Sequence, residues 1–339
     1  YRIVHQGKDQ PGENAQEDHR YPFAGAANAV VRLAVVSAQG GQPVWMQYDA
    51  RQYEYLARVK WLPDGRLSAQ LENRLQDTLV LAVFDPRTGK STELLKETSP
   101  IWINLHDMFT PLKKLNGQEQ PGFLWASERS GYRHLYLYDA YGQLIRQITS
   151  GDWMVDELCG VDEQNGWVYF TSTAADVREK HLYRAPLQGG PAEQITTEKG
   201  QHQIVLDHAK TRFVDTFTSL SQPVTVNLHS LPEGGTLKNL FTNQDPRLSD
   251  LDLPVPEMVT LTNRDGVTLY GAIYHPPASF GDGPHPTIIS VYGGPHAQRV
   301  INHFAMTASM QDQYLASLGF VVFRLDNQGS ARRGLAFEG

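Results

Sequence analysis

Four similar turn sequences recur along the chain at a spacing of roughly 40–50 residues. Each turn follows a short apolar stretch and ends in a glycine; these glycines are Gly89, Gly142, Gly189 and Gly234. Around each turn the same order repeats: a strand, a polar turn, a second strand, the glycine turn and a further strand. Four short strands repeated at this period are typical of a β-propeller built from four-stranded antiparallel blades.

Short alternating apolar runs fill the sequence between about residues 30 and 229. Clear examples are the runs at 79–84, 135–138, 167–170 and 224–228. No helix-period stretch of useful length interrupts them, so this part is predicted to be all-β. A sandwich with regularly spaced hairpins is the alternative. Four to five blades can be counted, and ring closure usually takes more than four, so we expect further blades upstream.

The pattern changes near residues 251–256, where two prolines mark a domain linker. A hairpin is predicted next, with strands at 258–262 and 267–274 around an Asn-Arg-Asp-Gly turn. An apolar strand at 287–291 follows, then a helix at 310–318 that ends at Gly319, and then a strand at 320–325. Strand, helix and strand in this order predict a parallel crossover and the start of an α/β sheet.

Tyr292-Gly293-Gly294-Pro295 comes directly after the strand at 287–291. Ligands of open α/β sheets bind at such carboxyl ends. The glycines let the backbone approach a substrate, and a phenol can donate a hydrogen bond to a tetrahedral oxyanion. The loop resembles the oxyanion loop of an α/β-hydrolase, although a tight turn with a packed tyrosine is the alternative. We therefore predict an all-β propeller domain at residues 1–250, followed by the N-terminal part of an α/β-hydrolase domain at 251–339.

Other candidate catalytic or ligating residues are weaker. Ser330 follows the next strand but lacks a G-x-S-x-G context, which occurs nowhere in the sequence. His106 and Asp107 are candidates to face the propeller centre, although a structural role is favoured. None of the 12 histidines, among them His296 and His303 near the loop, has the spacing of a metal motif. We predict neither a metal nor another cofactor.

The charge and the composition exclude several classes of protein. A formal net charge of −7 provides no basic footprint for nucleic acid. No apolar stretch approaches the ~18 residues of a membrane helix. The single cysteine, Cys159, cannot form an internal disulfide and is compatible with either cytosol or periplasm.

Four motifs together resemble a known family, the dipeptidyl-peptidase IV-like serine peptidases of the prolyl oligopeptidase group. In chain order they are Arg20-Tyr21-Pro22-Phe23-Ala24-Gly25-Ala26-Ala27-Asn28, Ser127-Glu128-Arg129-Ser130-Gly131-Tyr132-Arg133-His134-Leu135-Tyr136, Tyr292-Gly293-Gly294-Pro295 and Asp326-Asn327-Gln328-Gly329-Ser330. The resemblance covers essentially the whole chain. The first two motifs are fairly specific to the dipeptidyl-peptidase IV branch, and the last two are shared more widely in the group.

The resemblance implies an eight-bladed propeller that caps an α/β-hydrolase domain. It also implies release of dipeptides from peptides with a free N-terminus, with Pro or Ala in the second position, usually by a homodimer. Bacterial members are typically periplasmic, so a periplasmic or secreted location is expected. Tyr292 matches the family's oxyanion-hole tyrosine. The segment that contains His106 and Asp107 matches a propeller stretch near the substrate cavity, which makes both residues candidates for substrate binding.

Several departures from the family pattern limit which of its functional residues can be assigned to this chain. Gln328 stands where the family usually has Arg. The family's Ser, Asp and His triad is expected after Gly339, and its paired glutamates before Tyr1. We therefore expect an internal fragment that is inactive alone. An acylaminoacyl peptidase of the same group and a non-catalytic propeller binding protein are the alternatives.

Overall fold

A computed structural model describes residues 2–4, 16–114 and 121–339. It divides into two compact units, residues 1–103 and residues 104–339. This division differs from the predicted domains of residues 1–250 and 251–339, which stay a prediction.

The first unit is built from short antiparallel β-structure. Its strands, in chain order, are β1 (Arg2–Val4), β2 (Gln16–Asp18), β3 (Ala34–Val35), β4 (Val44–Trp45), β5 (Tyr55–Trp61), β6 (Leu67–Glu72), β7 (Thr78–Phe84) and β8 (Ser91–Thr98). The pairs β1–β2 and β3–β4 stand apart, while β5 to β8 form one four-stranded meander. Alternate residues of β6 and β7, among them Leu71 and Phe84, bury one face of this sheet against Met46.

The second unit contains three more four-stranded meanders, each with strands in chain order. Their strands are β9 (Thr110–Leu112), β10 (Gly122–Ser127), β11 (His134–Asp139), β12 (Leu144–Gln147), β13 (Val155–Asp162), β14 (Trp167–Ser172), β15 (His181–Pro186), β16 (Glu193–Gln194), β17 (Gln201–Leu206), β18 (Arg212–Thr218), β19 (Thr225–Ser230) and β20 (Thr236–Thr242). All pairings within them are antiparallel. The predicted four-stranded antiparallel blade is confirmed.

The recurring glycines occupy one equivalent place in every blade, the turn between its third and fourth strands. Their φ angles are +73° at Gly89, +83° at Gly142, +88° at Gly189 and +73° at Gly234. Residues with a Cβ are disfavoured at such angles, which explains why glycine recurs. At Gly89 a Cβ would also clash with the backbone oxygen of Trp45.

The blade of β13 to β16 is buried on both faces. Along β14, Val168 and Phe170 pack into a cluster shared with the preceding blade. Tyr169, which points to the opposite face, packs with Phe213 of the following blade. A sandwich sheet buries only its inner face, whereas stacked propeller blades bury both. The packing therefore matches the propeller rather than the sandwich alternative.

A histidine–threonine pair recurs in two consecutive blades. His134 Nδ1 lies 3.1 Å from Thr149 Oγ1. His181 Nδ1 lies 3.0 Å from the Thr196 carbonyl oxygen and 3.5 Å from Thr196 Oγ1, and each threonine stands 15 positions after its histidine. The backbone N–H of the residue after each histidine donates to the same threonine hydroxyl, at 3.0 and 2.9 Å. This repeat is not apparent from turn spacing, because only the contacts show that the two pairs are equivalent.

A short helix, α1 (Pro246–Leu251), follows the last blade. The Asp245 carboxylate accepts the backbone N–H of Arg247, and proline occupies the first turn. Both features favour a helix start. The sequence predicts only a linker nearby, at residues 251–256, because a helix of two turns leaves little periodicity.

The rest of the second unit is a mixed sheet with short helices. Its elements are β21 (Glu257–Thr262), β22 (Thr268–Tyr274), β23 (Thr287–Val291), α2 (Phe304–Thr307), α3 (Met310–Ser317), β24 (Val321–Asp326) and α4 (Leu335–Glu338), with a 3₁₀ turn at Ala278–Phe280. The strand order is β21-β22-β24-β23, and β23 and β24 are parallel. The predicted hairpin, helix and crossover are confirmed. Within the described ranges, no helix is long and apolar enough to cross a membrane.

Candidate functional site

The carboxyl ends of β23 and β24 lie at the same edge of the mixed sheet. Val291 pairs with Leu325 in the parallel register, so the two loops that follow begin side by side. The first of them, residues 292–300, is called the Tyr292 loop below. The Tyr292 side chain is exposed, at 59%. A Cβ at Gly294 would lie 3.0 Å from the Tyr292 ring, so glycine there lets the ring lie against the backbone.

Asp326 anchors the far end of the Tyr292 loop. This residue ends β24, and its carboxylate accepts the backbone N–H groups of Arg299 and Val300 at 2.8 and 2.9 Å. Asp326 is buried. Burial raises the pKa of its carboxyl group, while the two N–H donors and nearby arginine charges oppose that rise. The last residues of the loop are therefore fixed to the end of the neighbouring strand.

Arg332 connects the Tyr292 loop to the blade of β13 to β16. Its Nη1 donates to Gln298 Oε1 and its Nη2 to the Glu179 carbonyl, both at 3.0 Å. Its Nε lies 3.3 Å from Asp156 Oδ1. Gln298 in turn donates to the carbonyl of Val177 at 3.1 Å. One guanidinium thus holds loop and blade in a common position.

A pair of carboxylates, the buried Glu338 and the half-buried Glu128, lies beside the middle of the Tyr292 loop. His296 Nδ1 is 2.8 Å from Glu338 Oε1. Asn104 Nδ2 donates to Glu338 Oε2 at 3.0 Å and to Glu128 Oε2 at 2.9 Å. Arg133 donates to the other oxygen of Glu128 at 3.1 Å. Burial raises the pKa of Glu128; Arg133 and Asn104 oppose the rise, and the charge of Glu338 adds to it.

The second and fourth sequence motifs converge on this region. Glu128 belongs to the motif at residues 127–136, whose turn carbonyl at Gly131 accepts the backbone N–H of Leu335 at 2.8 Å. Leu335 begins α4, the short helix that follows the loop after Asp326. Residues of both motifs therefore lie in the region around the Tyr292 loop.

The structure places His106 and Asp107 in the segment before β9. The His106 ring donates from Nε2 to the Ala126 carbonyl at 2.6 Å and accepts the backbone N–H of Met108 at Nδ1, at 3.2 Å. The ring also packs edge-on against Trp125, with centroids 4.8 Å apart. Asp107 is exposed. These contacts fix the ring within its blade, and a substrate role for the two residues stays a prediction.

The remaining candidates make structural contacts, two of them within their own loops and one, at Gln328, with the β21–β22 turn. His303 caps α2 by accepting the backbone N–H of Ala305 at 2.9 Å. Gln328 accepts a hydrogen bond from Asn263 at 3.0 Å, and Ser330 donates to the Asn327 carbonyl at 2.7 Å. No group of three His, Cys, Asp or Glu side chains within the described ranges is arranged to hold a metal ion.

Sequence reasoning missed Asn104, Arg332 and Glu338 as parts of the site. Asn104 and Glu338 are 234 positions apart, so no local pattern connects them. The fourth motif contains Asp326 but gives no role to its side chain. Its place at the end of a strand next to the Tyr292 strand was a usable signal, because parallel neighbours end at one edge.

Comparison with known families identifies the fold's relatives. The family described as "Dipeptidyl peptidase IV (DPP IV) N-terminal region" matches residues 1–224. The chain belongs to the dipeptidyl peptidase IV family. The match covers three complete blades and the first two strands of the fourth. The family resemblance predicted from the motifs is confirmed.

Relatives of the dipeptidyl peptidase IV family cover nearly all of the chain. Dipeptidyl peptidase 8 of Mus musculus is 29% identical over 99% of this chain and 45% of its own length. A probable dipeptidyl-aminopeptidase B of Aspergillus clavatus is 28% identical over 96% of this chain and 38% of its own. The chain thus spans less than half the length of these relatives.

Two bacterial crystal structures share the fold. Porphyromonas gingivalis dipeptidyl peptidase 4 superposes with a TM-score of 0.85 at 23% identity, over 100% of this chain and 47% of its own. A putative dipeptidyl aminopeptidase IV of Bacteroides ovatus gives a TM-score of 0.84 at 25% identity, over 100% and 50%. The architecture is therefore that of the family.

Proposed function

We propose that the chain forms part of a serine exopeptidase that releases Xaa-Pro or Xaa-Ala dipeptides from peptides with a free N-terminus. Membership of the dipeptidyl peptidase IV family supports this reaction class. The observation that carries it is the position of Tyr292, exposed at the carboxyl end of β23 in a loop whose far end is fixed by Asp326. A donor held at this edge can meet a substrate carbonyl.

The proposed mechanism divides the work between this chain and a catalytic triad. A serine attacks the carbonyl carbon of the second residue, and a histidine takes the proton of its hydroxyl and passes it to the leaving amine. The Tyr292 hydroxyl donates to the oxygen that becomes negative in the tetrahedral intermediate. We propose that the Ser, Asp and His lie after Gly339 in an α/β-hydrolase domain that begins near residue 251, and that residues 1–250 belong to the propeller.

The proposal also covers the enzyme's surroundings. We propose a homodimer in the periplasm or outside the cell, acting on peptides without a cofactor. The chain's share of its relatives' length supports placing the triad elsewhere in the protein, since these relatives are more than twice as long.

Two chromogenic substrates test the reaction. The enzyme that contains this chain is expected to hydrolyse Gly-Pro-p-nitroanilide, and N-acetylation of the glycine is expected to abolish hydrolysis. Equal release of p-nitroaniline from both substrates would show that the enzyme needs no free N-terminus, and release from neither would contradict the proposal. Release from N-acetyl-Ala-p-nitroanilide, in which the acylated residue itself carries the leaving group, would instead indicate an acylaminoacyl peptidase. The 339-residue chain alone is expected to be inactive on both.

A further inference from the structure

We propose that Glu338, acting through His296, is a positioning residue that holds Tyr292 in place for the reaction. This inference rests on the proposed function. Asp326 fixes the far end of the Tyr292 loop, at Arg299 and Val300. Glu338 fixes the middle of the loop, since its carboxylate bonds the His296 ring at 2.8 Å, four residues after the tyrosine.

The backbone at His296 indicates that the contact holds the loop in a strained shape. Its φ is +63°, in the left-handed region that a residue with a Cβ adopts at a cost. Such a conformation persists where the surroundings determine it. The side-chain contact with Glu338 is one such determinant, and the following residue adds another, since the Ala297 carbonyl accepts the backbone N–H of Ala331 at 3.1 Å.

The Glu338 carboxylate is itself fixed from the propeller side. Its side chain is 5% exposed, so it is shielded from water. Its second oxygen accepts an N–H of Asn104. A carboxamide NH₂ group has two hydrogens, and Asn104 bonds two carboxylates, Glu338 and Glu128. Because Arg133 holds Glu128, the position of Glu338 is set by the blade of β9 to β12.

A donor in an oxyanion hole works only where the negative oxygen forms, so small displacements reduce the rate. The contacts form a continuous series from Arg133 through Glu128, Asn104 and Glu338 to His296. The blade therefore sets where the loop places Tyr292. Loss of the His296 ring is expected to reduce turnover by letting Tyr292 move, with little effect on substrate binding.

A double-mutant cycle in the enzyme that contains this chain tests the inference. His296→Ala keeps a Cβ, and hence the backbone restriction, but removes the ring. We expect it to lower kcat for the Gly-Pro reporter about 10-fold with KM changed less than about twofold. In a Tyr292→Phe background the same change is expected to lower kcat less than about twofold, because the hydroxyl through which it acts is gone. The same factor in both backgrounds, or no effect in the wild type, would overturn the inference.

Glu338 provides a second measurement. A glutamine there can still accept from Asn104 and donate to Nδ1 of the ring, so Glu338→Gln is expected to keep kcat within about threefold of wild type while Glu338→Ala loses about 10-fold. Equal losses in the two variants would count against positioning. A correctly folded Glu338→Ala enzyme with wild-type kcat would do the same.

The matched control is the exposed pair of His275 and Glu257, whose side chains are 59% and 58% exposed and 2.7 Å apart. Glu257→Ala removes the same type of contact from the same sheet and is expected to leave kcat unchanged. If Tyr292→Phe alone leaves kcat unchanged, the proposed role of Tyr292 fails and this inference falls with it. If Tyr292→Phe lowers kcat but His296→Ala acts independently of it, only the inference fails.

Discussion

Asp326 and Val300 are joined by a hydrogen bond of 2.9 Å from the backbone N–H of Val300 to the carboxylate. The bond connects the end of β24 to the end of the Tyr292 loop, and Arg299 donates to the other carboxylate oxygen. A backbone segment of nine residues is thereby closed by one side chain. Buried carboxylates that accept backbone donors are costly to change, because those donors lose their partners.

Asp326→Asn tests this closure. An amide has one acceptor oxygen, so its NH₂ group faces one of the two backbone donors. We expect a loss of unfolding free energy of about 1–3 kcal/mol, measured by urea denaturation. Asp265→Asn, at an exposed position in the β21–β22 turn, serves as the control. A loss no larger than that of the control would contradict the anchoring role.

Tyr292→Phe tests the oxyanion donor. The change removes only the hydroxyl, and loss of one such donor lowers kcat about 10²–10³-fold. The measurement is steady-state hydrolysis of the Gly-Pro reporter by the enzyme that contains this chain. Tyr141→Phe, at a blade turn where the side chain is 82% exposed, is expected to change nothing. A decrease of less than about threefold for Tyr292→Phe would remove Tyr292 from the mechanism.

Glu72 makes stability depend on pH. Burial in β6 raises the pKa of its carboxyl group to about 7, and its Oε1 has no hydrogen-bond partner within the part of the chain that the structure describes. The folded state therefore binds the proton more tightly than the unfolded state, whose pKa is near the ordinary value of 4.5. The protonated Glu72 carboxyl therefore contributes its full stabilisation below pH 4.5, and this stabilisation is lost as pH rises through about 7.

Glu72→Gln is expected to remove this dependence. Relative to the variant, wild type should lose on the order of 1–3 kcal/mol of unfolding free energy between about pH 5 and pH 8. Urea denaturation at several pH values measures the difference. Glu93→Gln, at an exposed position in β8 of the same sheet, is the control. Parallel pH profiles for wild type and Glu72→Gln would show that Glu72 does not titrate in this range.

Cys159 is expected to be unreactive until the blades open. Burial, with help from the charge of Glu157, raises the pKa of its thiol to about 12. Only the thiolate reacts with iodoacetamide, so alkylation at pH 8 should be at least about 100-fold slower in the folded chain than in urea. Because the sequence has one cysteine, mass spectrometry reads a single site. Equal rates in both states would show that the thiol is accessible.

The sequence predicted those parts of the fold that depend on nearby residues. Alternating apolar residues predicted β7, β11 and β14, and the positive φ at Gly142 explains why a glycine marks its turn. The end of the helix near Gly319 is also predicted from local sequence, because a glycine with a φ of +93° follows its last turn. Steric restrictions that involve a few neighbouring residues can therefore be recognised in the sequence.

The supports of the site were not predicted, because their partners are distant in sequence. Asn104 and Glu338 meet only after the blade and the mixed sheet have folded. Tyr292 itself is identified from the sequence because a strand, a tyrosine and a glycine turn are adjacent there. The roles of Tyr292, His106 and Asp107 in catalysis and binding stay predictions.

The pairs His134–Thr149 and His181–Thr196 occupy equivalent positions in adjacent blades, and each threonine hydroxyl accepts the backbone N–H that follows its histidine. The partners of the two rings differ: Nδ1 of His134 contacts the Thr149 hydroxyl, whereas Nδ1 of His181 lies nearest the Thr196 carbonyl. The other ring nitrogen of His134, Nε2, bonds the Gly151 carbonyl at 2.9 Å. Burial lowers the pKa of this histidine. In the next blade, Nε2 of His181 instead bonds the Glu179 carboxylate at 3.0 Å. The two blades therefore offer matched positions within one protein. The same Thr→Val substitution, made once in each blade, compares a histidine that bonds a neutral carbonyl with one that bonds a carboxylate, under the same solvent and temperature.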